Sequence, residues 1–253
     1  MASNPPGDCC YKGVKHEGDI TGRYENLDDF EVYVSEPKGN ANGNGILIIT
    51  DVIGHRNTNV QLIADQLAAN GYFVYVPDVF YGDPITLNMS KPDFDIMKWL
   101  QGEYHPKKTS HTPPVVDPIV EKSIKEMRGK YNCKKVGIVG YCFGGKYVVR
   151  FLKPGQADVG YTAHPSFVDE EELEAIKGPL SISAAETDHI FPEDKRHKSE
   201  EILKKTGQPY QINLYSGVEH GFSVRGDPAK RHVQFAKESA FLQAVQWFEE
   251  YLK

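Results

Sequence analysis

The chain has 253 residues, 40% of them hydrophobic and 25% charged, with a formal net charge of −6. That length suits one large α/β domain, and the acidic balance supplies no basic patch, which excludes nucleic acid as a partner. The opening Met1-Ala2-Ser3-Asn4-Pro5-Pro6 lacks the basic and apolar segments of a secretory leader, and no apolar run nears the roughly 20 residues of a membrane span, so a cytoplasmic protein with no membrane partner is expected. The four cysteines have neither disulfide-scaffold nor zinc-ribbon spacing: Cys9 and Cys10 are adjacent, Cys133 precedes a strand and Cys142 stands in a glycine-rich turn.

Residues 1–29 show no clear periodicity and read as an irregular arm before a domain over 30–253. Phe30 to Val34 alternates apolar and polar residues as a half-exposed strand does, and Lys38 to Gly45 is a glycine- and asparagine-rich hairpin or connecting loop. Ile46 to Thr50 is continuously apolar, the mark of a strand covered on both faces. Val60, Ile63, Ala64, Leu67 and Ala68 then fall at helical spacing, Gly71 closes that helix, and Phe73 to Pro77 is the next strand, completing a β-α-β unit. The long stretch from Asp78 to Thr112, rich in Pro, Gly and aromatics, reads as a pocket rim with a short helix around Asp93 to Leu100, and Tyr81 is its candidate substrate contact. Asp117-Pro118 supplies an N-cap and first-turn pair for the following helix.

Val136 to Tyr141 then runs as a strand into Gly140-Tyr141-Cys142-Phe143-Gly144-Gly145, with a helix-compatible segment from Tyr147 to Leu152 behind it. Strand, sharp turn and helix form the context of a nucleophile elbow, where a strained backbone holds one side chain free above the sheet. Cys142 is that residue, and the Phe143 amide is placed to donate to a developing oxyanion. Asp158 to Ala163 and Pro179 to Ala184 are further strands, with a short acidic helix over Asp169 to Ile176 between them. Glu193 to Thr206 is a helix closed by Gly207, Pro209 to Tyr215 the last strand, and Ala229 to Leu252 a terminal helix with Phe235, Ala236, Phe241, Leu242, Val245 and Phe248 inward. Strands alternating with helices from Ile46 onward predict a single-domain, doubly wound, mostly parallel sheet.

A cysteine nucleophile needs a base, and the base an orienting acceptor. Asp188 follows one late strand and His220 the next, in the chain order nucleophile, acid, histidine that the elbow motif predicts. His189 competes for the base role, but an adjacent Asp188 would point the opposite way. His55 and His164, near strand ends, are candidate pocket residues, although loop histidines are more often solvated. No histidine or cysteine spacing calls for a metal, and no cofactor is expected.

With these residues the chain resembles the dienelactone hydrolases of the α/β-hydrolase superfamily, and Ala163-His164-Pro165-Ser166-Phe167 is most similar to fungal, carboxymethylenebutenolidase-like members. The likeness rests on the Gly-x-Cys-x-Gly-Gly elbow, on Asp188 before Phe191-Pro192, on His220-Gly221-Phe222, and on Ala68 to Tyr72 leading to Val76-Pro77-Asp78. It implies an α/β-hydrolase fold and a hydrolase for a small ester, lactone or thioester, acting through Cys142, His220 and Asp188 with a covalent acyl-cysteine. It also implies an oxyanion site at the Val52 and Phe143 amides. Where bacterial members carry a Glu that takes the thiol proton, this chain has Asp51. Of the arginines that hold a substrate carboxylate in the family, the pocket insertion supplies none, and Arg225 is the remaining candidate, which points away from dienelactone itself. A monomer or homodimer is expected. The alternative reading is a non-catalytic or redox-responsive small-molecule-binding protein on the same fold.

Overall fold

The computed structural model describes residues 1–39 and 41–252. Among them, eight strands form one sheet: β1 (Arg23–Leu27), β2 (Phe30–Ser35), β3 (Gly45–Ile49), β4 (Phe73–Pro77), β5 (Val136–Tyr141), β6 (Val159–Ala163), β7 (Leu180–Thr187) and β8 (Tyr210–Glu219), in the order β1-β2-β4-β3-β5-β6-β7-β8. β1 and β2 pair antiparallel, as do β2 and β4, and the other neighbours run parallel. The Lys38 to Gly45 stretch therefore connects β2 to β3 across β4 and closes no hairpin; Asn40 in it lies outside the described residues.

The helices are α1 (Thr58–Ala69), α2 (Ile96–Leu100), α3 (Pro113–Gly129), α4 (Gly144–Phe151), α5 (Glu170–Glu174), α6 (Glu193–Thr206), α7 (Phe222–Arg225) and α8 (Arg231–Tyr251). The apolar run of β3 divides between two cores, with Leu47 and Ile49 in one and Ile46 and Ile48 in the other. α3, α4 and α6 cover the first face, and α1 and α8 the second. A strand with both faces covered needs no polar side, which is why the run is continuous.

Three element readings change. α3 begins at Pro113 behind Thr112 and not at Asp117-Pro118, because Pro113 and Pro114 fill the first two positions, where a missing N–H costs nothing. Pro118 lies inside the helix, and the Asp117 carboxylate accepts from Arg150 Nε at 3.1 Å. In α8 the inward side is Ala236, Ala240, Ala244, Val245 and Phe248, whereas Phe235 is 68% and Leu242 56% exposed. Small alanines bring that helix close enough for the Tyr161 hydroxyl to donate to the Ala240 carbonyl at 2.9 Å.

The third change concerns the arm. Its last third, β1, is an edge strand of the sheet, and its start is packed into the domain, with Ala2, Ser3, Cys10 and Tyr11 buried. A single 3-10 turn spans Asp8–Tyr11, and backbone bonds from Ser3 to Val168 and from Val14 to Arg225 fix the path over the carboxyl ends of the parallel strands.

Candidate active site

β5 delivers Cys142 to the turn with φ 51°, a left-handed conformation that costs a β-carbon-bearing residue roughly 1–2 kcal/mol and persists only where its surroundings enforce it. Here the Cys142 amide donates to the Ala163 carbonyl at 3.2 Å, while its own carbonyl accepts from Gly145 at 3.0 Å and Ser166 at 2.9 Å. A β-carbon on Gly140 would strike the Gly144 carbonyl, and one on Gly144 would strike that of Ile49, so the close strand-to-helix approach demands both glycines.

Asp188 follows β7 and is fully enclosed. Its Oδ1 accepts from the amides of Ile190 at 2.7 Å and Phe191 at 3.0 Å, which fixes the carboxylate, and both oxygens face His220 Nδ1 at 2.9 and 3.0 Å. β8 runs to Glu219, beyond its predicted end at Tyr215, with Gly217 at positive φ beside the irregular β7–β8 pairing, and so carries His220 directly to the sheet edge. His189 is exposed and holds no part of this pair.

With Nδ1 on Asp188, Nε2 of His220 faces the thiols and lies 3.5 Å from Cys10 Sγ. Cys10 is the residue that sequence reasoning missed: it lies in a segment with no periodicity, and only the folded path of the arm brings it here. Cys142 is consequently 0% exposed, whereas the elbow alone implies a side chain standing free. Burial opposes ionisation of Cys142, but the thiol of Cys10 donating to it and the charge of His220 outweigh burial and hold it well below the ordinary thiol range. Burial, and then donation to Cys142, push Cys10 the other way. Burial likewise disfavours imidazolium at His220, yet the charges of Cys142 and Asp188 lift it to about 10. Ser166, also unforeseen, has its hydroxyl 3.8 Å from Cys142 Sγ.

Asp51 and Arg225 form a buried ion pair. Arg225 Nε also donates to the Lys12 carbonyl at 3.1 Å and Nη2 to that of Cys9 at 3.4 Å, while Asp51 Oδ1 accepts from the Ile53 amide at 3.0 Å. Burial still lifts the Asp51 carboxyl above its usual range, and Arg225 offsets part of that. Val52 is fully buried in the loop Asp51 shapes, and Phe143 leads into α4. His164 is buried with φ 40°, its ring 4.9 Å from that of His220 and its Nε2 2.8 Å from Ser223 Oγ. His55 is buried against Glu31 and Asp78, and the Tyr81 hydroxyl faces Asp29. Beside His220 a cleft of about 730 Å³ opens between the arm and the β8 end, with Cys9, Lys12, His189, Arg225 and Lys230 among its walls.

A mostly parallel sheet with a strained cysteine elbow and an Asp-held histidine at its carboxyl edge defines an α/β-hydrolase acting on carboxylic esters. The signature of the dienelactone hydrolase family matches residues 30–252, and the chain belongs to that family. It is 59% identical to hydrolase tropI of Talaromyces stipitatus over 100% of this chain and 99% of that protein, and 51% identical to hydrolase pyvD of Aspergillus violaceofuscus over the full length of both. The dienelactone hydrolase of Anabaena variabilis, at 12% identity, shares the fold with a TM-score of 0.65 over 94% of this chain and 100% of that one. No helix among the described residues is long and apolar enough to cross a membrane.

Proposed function

We propose that the protein hydrolyses a small ester, lactone or thioester through Cys142, His220 and Asp188 by way of an acyl-cysteine. The observation that carries this reading is His220 itself, clamped through Nδ1 by the enclosed Asp188 carboxylate so that Nε2 faces the thiols. The Cys142 thiolate attacks the substrate carbonyl, and the resulting oxyanion is received by the amides of Val52 and Phe143. The imidazolium of His220 gives its proton to the departing alkoxide or thiolate. Neutral His220 then takes a proton from water, whose hydroxide attacks the acyl-cysteine, and the acid leaves with the thiolate restored. Cys10, protonated and donating, supports the thiolate and does not compete as nucleophile.

One chain supplies all three groups. The cationic Lys12 and Lys230 in the cleft favour a substrate carrying a carboxylate remote from the scissile bond, a role that Arg225, committed to Asp51, leaves to them. Cys142→Ala is expected to abolish turnover of activated short-chain esters and lactones in a folded protein, and rapid quenching of the wild type should trap one acyl group on the peptide containing Cys142. Undiminished turnover in the folded variant, or an acyl group on Cys10 instead, would sink the assignment.

A further inference from the structure

The arm places two thiols against the one imidazole nitrogen that the hydrolytic cycle needs. Cys9 Sγ, Cys10 Sγ and the His220 ring nitrogen all lie within 4.8 Å of one another, and Cys10 Sγ is 3.5 Å from Nε2. Zinc bonds to thiolate at about 2.3 Å and to imidazole at about 2.0–2.1 Å, which puts sulfur and nitrogen about 3.5 Å apart along a tetrahedral edge. His220 already has its other nitrogen on a carboxylate, the arrangement that orients metal-binding histidines and raises their basicity. The thiols are held in place too: Arg225 donates to the carbonyls of Cys9 and Lys12, the Asn88 amide donates to that of Tyr11, and the Tyr11 hydroxyl donates to Asp8. Cys10 and His220 are buried, while Cys9 is half-buried and lines the cleft, which gives an entry path and room for a solvent ligand.

We propose that Cys9, Cys10 and His220 bind a thiophilic divalent cation, with zinc as the type case, in a tetrahedral site completed by water, and that occupancy silences the enzyme. The cation displaces three protons to solvent, one from each thiol and one from Nε2 of the imidazolium, and binds the lone pair that Nε2 thereby regains, leaving no acid or base for the cycle. The inhibitory consequence rests on the reading of His220 given above; the binding does not. Ligand softness sets the selectivity, so zinc and cadmium bind and magnesium and calcium do not.

The test uses the full-length protein, reduced and treated with chelator, and titrated with cadmium while thiolate-to-cadmium charge-transfer absorbance is followed. One equivalent per chain is expected to saturate the band, and zinc is expected to inhibit ester turnover with the same stoichiometry, reversibly on adding chelator. Cys9→Ser, at a half-buried position that circular dichroism can verify as folded, should weaken the metal affinity at least ~10-fold, and Cys10→Ser should do so where it folds. Cys142→Ala should keep the band, because Cys142 is not a ligand. The site is overturned if the wild type shows no band, or if Cys9→Ser binds and is inhibited as the wild type is, which would mean that metal merely poisons the Cys142–His220 pair. Should Cys142→Ala retain turnover while the band behaves as expected, the hydrolytic reading fails and the metal site stands.

Discussion

Cys10 lies with its Sγ 3.5 Å from His220 Nε2 and donates its thiol to Cys142. It keeps its own proton because burial and donation to Cys142 both favour the thiol, and the proton it shares stabilises the Cys142 thiolate. On the proposed mechanism the site rests as a thiolate–imidazolium pair: burial opposes the charge on His220, but the charges of Cys142 and Asp188 lift it to about 10. A free thiol titrates near ~8.5. Cys10→Ala removes a donor to the charged form, so the Cys142 transition should move upward. Far-ultraviolet thiolate absorbance against pH, corrected with Cys142→Ser, should show the wild type retaining thiolate well below pH 8 and the variant losing it at higher pH. Turnover in the variant should consequently fall more at pH 6 than at pH 9, and an unmoved transition would remove Cys10 from this role. None of this was legible in the sequence, where adjacent cysteines in an aperiodic arm carry no geometric signal. Cys142, Asp188 and His220 could be proposed from the sequence because each follows a segment that reads as a strand by its composition, although His220 lies beyond the end of β8 that the sequence suggested.

At the scale of elements, the sequence speaks most clearly where burial is one-sided or complete. β3 and β5 are continuous apolar runs covered on both faces, and α1 shows its apolar stripe and closing Gly71, at φ 95°, in letters. α8 misled because apolar residues surround most of it, and the pattern does not say that alanines, and not the larger Phe235 and Leu242, form the contact. The difference is measurable by urea denaturation. Phe248→Ala, in the core beneath β5, should cost about 3–5 kcal/mol. Phe235→Ala should stay within roughly 0.5 kcal/mol, as surface changes do. Equal losses would contradict the orientation of the helix. α7, at four residues, and the late end of β8 lack the length over which any period can be read.

At the scale of the whole molecule, the Asp51–Arg225 pair joins the end of β3 to α7 and, through the carbonyls of Cys9 and Lys12, to the arm. Breaking one partner of such an enclosed pair strands the other charge, a loss of about 3–5 kcal/mol. Arg225→Met should show that loss in denaturant unfolding, and Asp51→Asn added to it should restore part of it, since the stranded charge is then gone. A strictly additive double variant would mean that the two side chains do not act as a pair. The position of the arm follows from this joint, which no local pattern in residues 1–29 encodes.

That arm has a consequence in time. Cys9 and Cys10 precede every strand of the sheet in the chain, and His220 and Arg225 follow the last of them. Contacts so distant along the chain close late. Until those contacts close, Cys142 lacks the Cys10 donor, the His220 charge and the burial that act on it in the folded protein. On the proposed mechanism the reactivity of Cys142 therefore waits for β8 and α7 to fold against the arm.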